Sequence, residues 1–482
     1  MSVSRLFSIA LISTLAGTLF GATSAWASGS RPPQFVLLAF DGSSSIPMWE
    51  ETRDFARRAK AKGAPVKFTY FISGVYYVGK ANRKKYIEPT RGAGVSAIGW
   101  GDDAADLLAR YDQTNLAAIE EHEIASHANA HFSGDKWTAK EWSSEFTQFH
   151  SIIFDFFNFN GVRPSSRFPN GWVFKEDSMT GFRAPQLGVS KGLWDVIRAK
   201  GYRYDTSLVA KANYWPERHA QGGHWNFPLA ALTIAGTGKR TLSMDYNFYV
   251  ADSAAKPNPA QKARFKNQMI ETYLQYFEGN YNGNRAPVHI GHHFSKWNDG
   301  AYWEAMQEFA LAVCGRPEVQ CVTYRELADF MDSKKPQEIE AYRRGAFDKL
   351  PSLRLAQGLP TYDLGVRMVA SSAAARTLQG YSVELRGRDG RLGAGDRIET
   401  RLNGGLVQGG GAWRQALRGQ NAIVETRILR AGQEIAKATQ ILSQIGLPSE
   451  SISEQPVEAR ALLGDLPEAH AEGEGPRKDH GH

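Results

Sequence analysis

Short, almost wholly apolar runs alternate with longer segments of helical period along most of this chain. Phe35 to Asp41, FVLLAFD, reads as a buried strand ending on an aspartate, and Val66 to Ile72, VKFTYFI, as a second one closed by Ser73-Gly74. Between them, Pro47 to Lys62 sets Trp49, Phe55, Ala56 and Ala59 on one helical stripe, and Gly63 stops it. Tyr76 to Gln113 has no clean period and predicts an elaboration on one face. His122 to Ala125 is a third strand, and Thr138 with Glu141 forms a capping box opening a helix through Phe146, Phe149 and Ile153. After a Pro-, Gly- and Asn-rich loop from Asn158 to Asn170, Gly181 to Pro185 reads as a strand end. Gly192 to Lys200 is a helix with Gly201 as its stop. Tyr202 to Leu208, Trp225 to Leu229 and Leu242 to Val250 continue as strands, and Pro259 to Tyr276 is a helix. Pro287 to Ile290 is a strand running into Gly291-His292-His293, and Tyr302 to Val313 closes as a helix. This alternation predicts an α/β fold with a parallel, barrel-like sheet and chemistry at the C-terminal strand ends.

Both ends of the chain break the rhythm. Met1 to Ala27 carries Arg5, an apolar stretch from Leu6 to Phe20 and Ala25-Trp26-Ala27, the pattern of a cleaved secretory signal, so export is expected, to a secreted or periplasmic location. No later run is long and apolar enough to cross a bilayer. The main α/β unit is expected over 28–335, with a linker over 336–360 whose charged run from Pro336 to Gly358 reads as helical or linking. Short alternating runs over 361–445, notably Tyr381 to Arg386, Arg397 to Leu402 and Ile423 to Leu429, predict a small β-sandwich-like domain. The segment 446–482 reads as a disordered tail, and its His480 and His482 receive no functional weight. The formal net charge of +7 is mild and scattered, and suits an anionic cell-wall polymer better than nucleic acid, for which no motif is present. Cys314 and Cys321 flank Gly315 and Pro317, which in an exported chain predicts a local disulfide.

The candidate chemistry centres on HEIASHANAH, residues 122–131. His127 and His131 stand four apart, and on a helical turn both imidazoles could reach one ion at about 2.0–2.1 Å. Taken alone, two such histidines are as readily core or surface residues. Asp41, at the end of its strand, is the best carboxylate to complete a site. An ion held by two histidines and a carboxylate keeps open positions for water and a substrate carbonyl. Amide hydrolysis also needs an acid for the leaving amine. His292 is the candidate acid, Asp205 its stabilising carboxylate, and Arg183 a cation that keeps a neighbouring carboxylate ionised. Each has a plainer reading, Arg183 as a surface ion pair and Asp205 as a turn cap. What favours the chemical reading is that Asp41, His127, Arg183, Asp205 and His292 all fall at or just after predicted strand ends.

From Phe35 to Met331 the chain resembles the NodB-homology polysaccharide deacetylases, carbohydrate esterase family 4. FVLLAFDGS, VKFTYFISG, HEIASHANAH, GFRAPQLG, GYRYDTSL and VHIGHHF look like that family's motifs in order. The resemblance implies a deformed (β/α)7 barrel, a divalent metal, most often Zn2+, and removal of acetyl groups from N-acetylated sugars. It carries over His127 and His131 as metal ligands, His292 as general acid, Asp205 as its partner and Arg183 as the group orienting the base. Backbone near Gln186, where the family often has tyrosine, is implied to help bind the oxyanion. The family's first motif has two adjacent aspartates, a base and a metal ligand, but here Gly42 follows Asp41. Asp41 is then either the ligand, the reading favoured here, or the base, in which case the metal keeps two histidines and solvent. Asp245 and His293 are substitutes for a displaced base. Ala128 stands where the family often has Ser or Thr.

The sequence therefore supports an exported, metal-dependent N-deacetylase acting on a GlcNAc-containing polymer, peptidoglycan first and chitin-type or poly-GlcNAc glycans next. The competing readings are a catalytically silent glycan-binding protein and an O-acetyl esterase on the same polymers.

Overall fold

The computed structural model describes residues 31–347 in full and, between residues 362 and 442, the backbone of six strands. The expected signal segment, the rest of the expected linker beyond Phe347 and the expected tail with His480 and His482 lie outside the described residues. Parallel strands Val288–His293, Gln34–Asp41, Phe68–Ile72, Glu123–Ser126, Gly181–Phe182, Tyr204–Asp205 and Trp225–Asn226 lie side by side in that order. Glu217–Arg218 adds an antiparallel edge, and Val319–Cys321 pairs with the early part of Gln34–Asp41. A smaller sheet of Val209–Lys211, Leu229–Thr233 and Arg240–Leu242 is joined to the first by a bridge from Met244 to Gly291. The result is an α/β fold around a curled, mixed half-barrel sheet.

Alternation along the strands sorts side chains onto two faces. Phe35, Leu37 and Ala39 point inward with Phe71, Ala125, Tyr204, Phe227 and Tyr324. Val36, Leu38 and Phe40 point outward with Phe68, Tyr70, Ile124, Val288 and Ile290, under the helices. Ile46–Ala61 covers that outer face with Trp49 and Phe55, Lys262–Tyr281 with Tyr273 and Phe277, and Trp297–Val313 with Met306 and Phe309. Each such side chain, fully buried, contributes about 1.5–3 kcal/mol. The capping box expected at Thr138 forms: its hydroxyl accepts from Glu141 N–H and the Glu141 carboxylate accepts from Thr138 N–H at 2.6 Å, opening Ala139–Phe154. Cys314, following Trp297–Val313, is disulfide-bonded to Cys321.

Two expectations are corrected. Tyr76 to Gln113 is more regular than its composition suggests, because Asp103 accepts from Ala105 and Asp106 N–H and starts a helix, Ala104–Ile119. Leu242 to Val250 is not a strand: the chain leaves Arg240–Leu242 and enters a helix, Asp245–Ser253. The charged segment from Pro336, expected as helical or linking, begins as a helix, Pro336–Arg343, whose Ile339 and Tyr342 pack into the inward cluster. Further on, the described strands form a two-stranded sheet, Tyr362–Ala370 with Leu378–Gly387, and a four-stranded antiparallel sheet built on Asp396–Leu402, Ala422–Arg430 and Gln433–Leu442. Among the described residues, no helix is long and apolar enough to cross a membrane.

Several histidines are buried as neutral rings. Burial pushes His122 down to about 4, and His224 and His289 down to about 3. Each takes a proton less readily when folded than in the unfolded chain, where imidazole titrates near about 6.5. Below that value the unfolded state binds more protons at these rings, so their contribution to stability is complete above about pH 6.5 and falls as the pH drops through the window to about 4. Urea unfolding at stepped pH should show this, at up to about 1.4 kcal/mol per histidine per pH unit, and His289→Phe should remove one histidine's share of the slope.

Candidate active site

Asp41 ends its strand on the inward face and is almost fully buried. Arg183 begins the loop after Gly181–Phe182 and is fully buried, with its Nη1 donating to Asp41 Oδ1 at 2.6 Å. The rest of the guanidinium is also occupied. Nε donates to Thr206 Oγ1 at 2.7 Å, Nη2 to Tyr324 Oη at 3.4 Å, and the group lies 4.4 Å from the Phe71 ring centre. Burial makes Arg183 easier to deprotonate, but the charge and hydrogen bond of Asp41, together with Tyr324 and Tyr204, outweigh it and raise its pKa. One face of the cleft is therefore a desolvated, hydrogen-bonded ion pair.

His127 follows Glu123–Ser126, and its Nδ1 donates to the backbone carbonyl of Arg183 at 2.8 Å. That bond assigns the proton to Nδ1 and leaves a lone pair on Nε2. Nε2 of His127 and Nδ1 of His131 are both buried with no hydrogen-bond partner. The two rings are 5.1 Å apart, and burial lowers the pKa of both, that of His131 to about 3. The pair does not sit on a helical turn. Ala128 and His131 have φ of 54° and 60°, a strained loop held from outside. Asn129 N–H donates to Glu145 Oε1 at 2.9 Å, Tyr86 Oη donates to Glu145 Oε2 at 2.8 Å, and Gly74 N–H donates to Ala128 O at 2.8 Å. A Cβ at Gly74 would lie 2.1 Å from Asn129 Oδ1, so a glycine is needed there. The Ala128 methyl packs with Trp142 and Phe182. Gln186, at φ 55°, donates from Nε2 to His131 O at 3.2 Å, which ties the arginine loop to the histidine loop.

The expected pair of His292 and Asp205 is not formed. Val288–His293 runs through both histidines, so alternation turns His292 outward with Val288 and Ile290, where its Nε2 meets Tyr273 Oη at 3.1 Å. Asp205 is engaged by Ser207, accepting from its N–H at 2.8 Å and its hydroxyl at 2.6 Å, and burial raises its pKa to about 7. The Ser207 hydroxyl in turn accepts from Ala184 N–H at 2.8 Å, so Asp205 supports the arginine loop.

His293 takes the position beside Asp41. The two residues are register partners on adjacent parallel strands. Asp245, at the start of its helix, accepts from His293 N–H at 2.9 Å and pairs with His293 Nδ1 at 2.7 Å, while His292 Nδ1 is 3.7 Å away. Burial opposes the Asp245 charge, but His293 and His292 outweigh it and its pKa is lowered. The bridge from Met244 to Gly291 and the bond from Gly291 N–H to Ser243 O bring Asp245 there. The half-buried rings of Tyr246 and Trp297, 5.3 Å apart, lie on the His293 side, with Trp297 5.4 Å from His293.

The implied divalent metal can be tested against this donor set. Two neutral imidazoles with unpartnered nitrogens suit a metal, but Asp41 is committed to Arg183 and Gly42 brings no side chain. Among the described residues, no group of three or more His, Cys, Asp or Glu side chains is placed to hold an ion. The donors do not fit a complete three-ligand centre.

No protein-family model and no curated protein matches the chain. Among solved structures, it is similar to the peptidoglycan deacetylase PdaC from Bacillus subtilis at 14% identity and TM-score 0.31, over 64% of this chain and 96% of that one. It is similar to Puue allantoinase at 13% identity and TM-score 0.38, over 67% and 99%. A family 4 acetyl xylan esterase from Clostridium thermocellum, solved with a cobalt ion, gives 14% identity and TM-score 0.32, over 66% and 99%. At such scores the likeness carries no functional weight, which leaves the side chains to decide.

Both His293 and Asp245 had a signal in the sequence. Extending the strand through VHIGHH puts His293 on the face of His289 and Gly291, and an aspartate after the apolar end of a strand is a common helix start. The Asp41–Arg183 pair gives a direct prediction. Arg183→Met leaves a buried carboxylate without its counter-charge and should destabilise the fold by about 3–5 kcal/mol, read by thermal or urea unfolding. Arg183→Lys should recover only part of that, because an ammonium cannot reproduce the guanidinium fork.

Proposed function

We propose that this chain is an exported hydrolase that removes acetyl groups from N-acetylated glycans, with Asp41 as general base and His293 as general acid. The observation that carries the reading is the register pairing of Asp41 with His293, each already locked to its own counter-charge, Arg183 and Asp245. Two proton carriers with separate electrostatic partners, side by side at a strand-end cleft, are what amide hydrolysis requires. Asp41, ionised against Arg183, takes a proton from the attacking water. His293 gives its proton to the leaving nitrogen, and Asp245 stabilises the imidazolium. Tyr246 and Trp297 offer ring faces to a sugar, and the motif resemblance gives backbone near Gln186 the part of oxyanion donor. The ordered motif resemblance supports N-acetylglucosamine polymers as the substrate class, with peptidoglycan first. The strands after residue 361 are assigned to a separate accessory domain.

Gly42 favours a second reading, a glycan-binding protein without turnover, because it removes the carboxylate that the family's metal needs. Acetate release from N-acetylglucosamine oligomers separates the two. Under the hydrolase reading, His293→Ala should lower release by ~10²–10⁴-fold. His292→Asn, which alters an outward ring, should stay within about tenfold of the parent. Polymer pull-down with no acetate released by the parent protein would favour the binding reading, and a larger loss in the His292 variant would overturn the assignment of the acid.

A further inference from the structure

Asp41 and the histidine pair lie in one cleft but answer to different partners. The Asp41 carboxylate is held by Arg183 at 2.6 Å, and both side chains are buried. The carboxylate is therefore bonded to a fixed cation. Drawing it onto a metal would leave Arg183 buried with an uncompensated charge.

His127 is oriented as a metal ligand would be, with its far nitrogen bonded to a backbone carbonyl and its near one unpartnered. His131 also has a buried, unpartnered nitrogen. What the pair lacks is an anionic donor. Gly42 follows Asp41 at the strand end, is tied by its N–H to Phe71 O at 2.9 Å, and has φ 81°. That left-handed backbone ends the alternation of the strand, so a side chain at 42 would not be bound to the outer face. Aspartate is among the residues that tolerate this conformation best.

We infer that His127 and His131 form a half-site for a divalent cation, short of one carboxylate, and that Gly42 marks the missing donor. On its own the pair does not retain zinc. It binds zinc when a carboxylate is supplied, either by a small carboxylate in solution or by a side chain at position 42. This follows from the donor set and stands whether or not the chain releases acetate.

The experiment is equilibrium dialysis of the full-length, chelator-stripped protein against Zn2+, with bound metal quantified, with and without acetate. His127→Ala serves as the reference, so that zinc bound elsewhere, for instance by His480 and His482, is subtracted. The parent protein should hold little His127-dependent zinc alone and more when acetate is present. Gly42→Asp should bind one equivalent at least about 100-fold more tightly than the parent, and the double variant with His127→Ala should lose it. One tightly held, His127-dependent equivalent in the parent without acetate would overturn the inference. So would a folded Gly42→Asp protein, checked by circular dichroism, with no gain in affinity. If that variant does not fold, the parent with and without acetate still decides.

Discussion

The buried ion pair between Asp41 and Arg183 is the constraint around which the cleft is arranged. The two residues end strands that are not neighbours; Phe68–Ile72 and Glu123–Ser126 lie between them in the sheet. A 2.6 Å bond across that gap requires the sheet to curl, and the curl creates an inward face at all. Desolvating both charges is expensive, and the pair is sustained because two further donors of the guanidinium are used by Thr206 and Tyr324 and the group rests on Phe71. Beneath it, Tyr204, Phe227, His289 and Tyr324 stack as an aromatic floor that excludes water from below.

From that pair, order spreads along the cleft. The carbonyl of Arg183 fixes the tautomer of His127, the next residue's N–H is held by Ser207 and through it by Asp205, and Gln186 reaches the carbonyl of His131. Opposite, Asp245 fixes His293 by two bonds. The arrangement favours proton transfer over ion binding. Asp41, the strand-end carboxylate beside His293, has a permanent cationic partner, and the two imidazoles best suited to a metal have no anion of their own.

Much of this could be read from the residues. Strand ends at Asp41, His127 and Arg183 followed from apolar runs that stop on polar residues, and the capping box at Thr138 and the Cys314–Cys321 bond followed from local spacing. The misses share one cause: tertiary hydrogen bonds moved an element boundary by a few residues. Pairing with Gln34–Asp41 extends the last strand through His293, and a shift of that size in a period of two exchanges the face of His292 for that of His293. Asp245 was already a candidate for a displaced base, but the helix it opens was hidden because YNFYV has the composition of a strand, while Asp245 at its start and the bridge from Met244 turn it into a helix. Asp205 was assigned to the right region and the wrong partner. It supports the arginine loop from behind, a role that only coordinates reveal.

The central claim is that Asp41 and His293 flank the bond that breaks. The most direct measurement is a crystal structure of the protein with an N-acetylglucosamine oligomer bound. The predicted result is an acetamido group between the two side chains, with its nitrogen within hydrogen-bond reach of His293, about 2.6–3.2 Å, and a water against Asp41. An oligomer seated away from this cleft, or an acetamido group facing neither residue, would contradict the account.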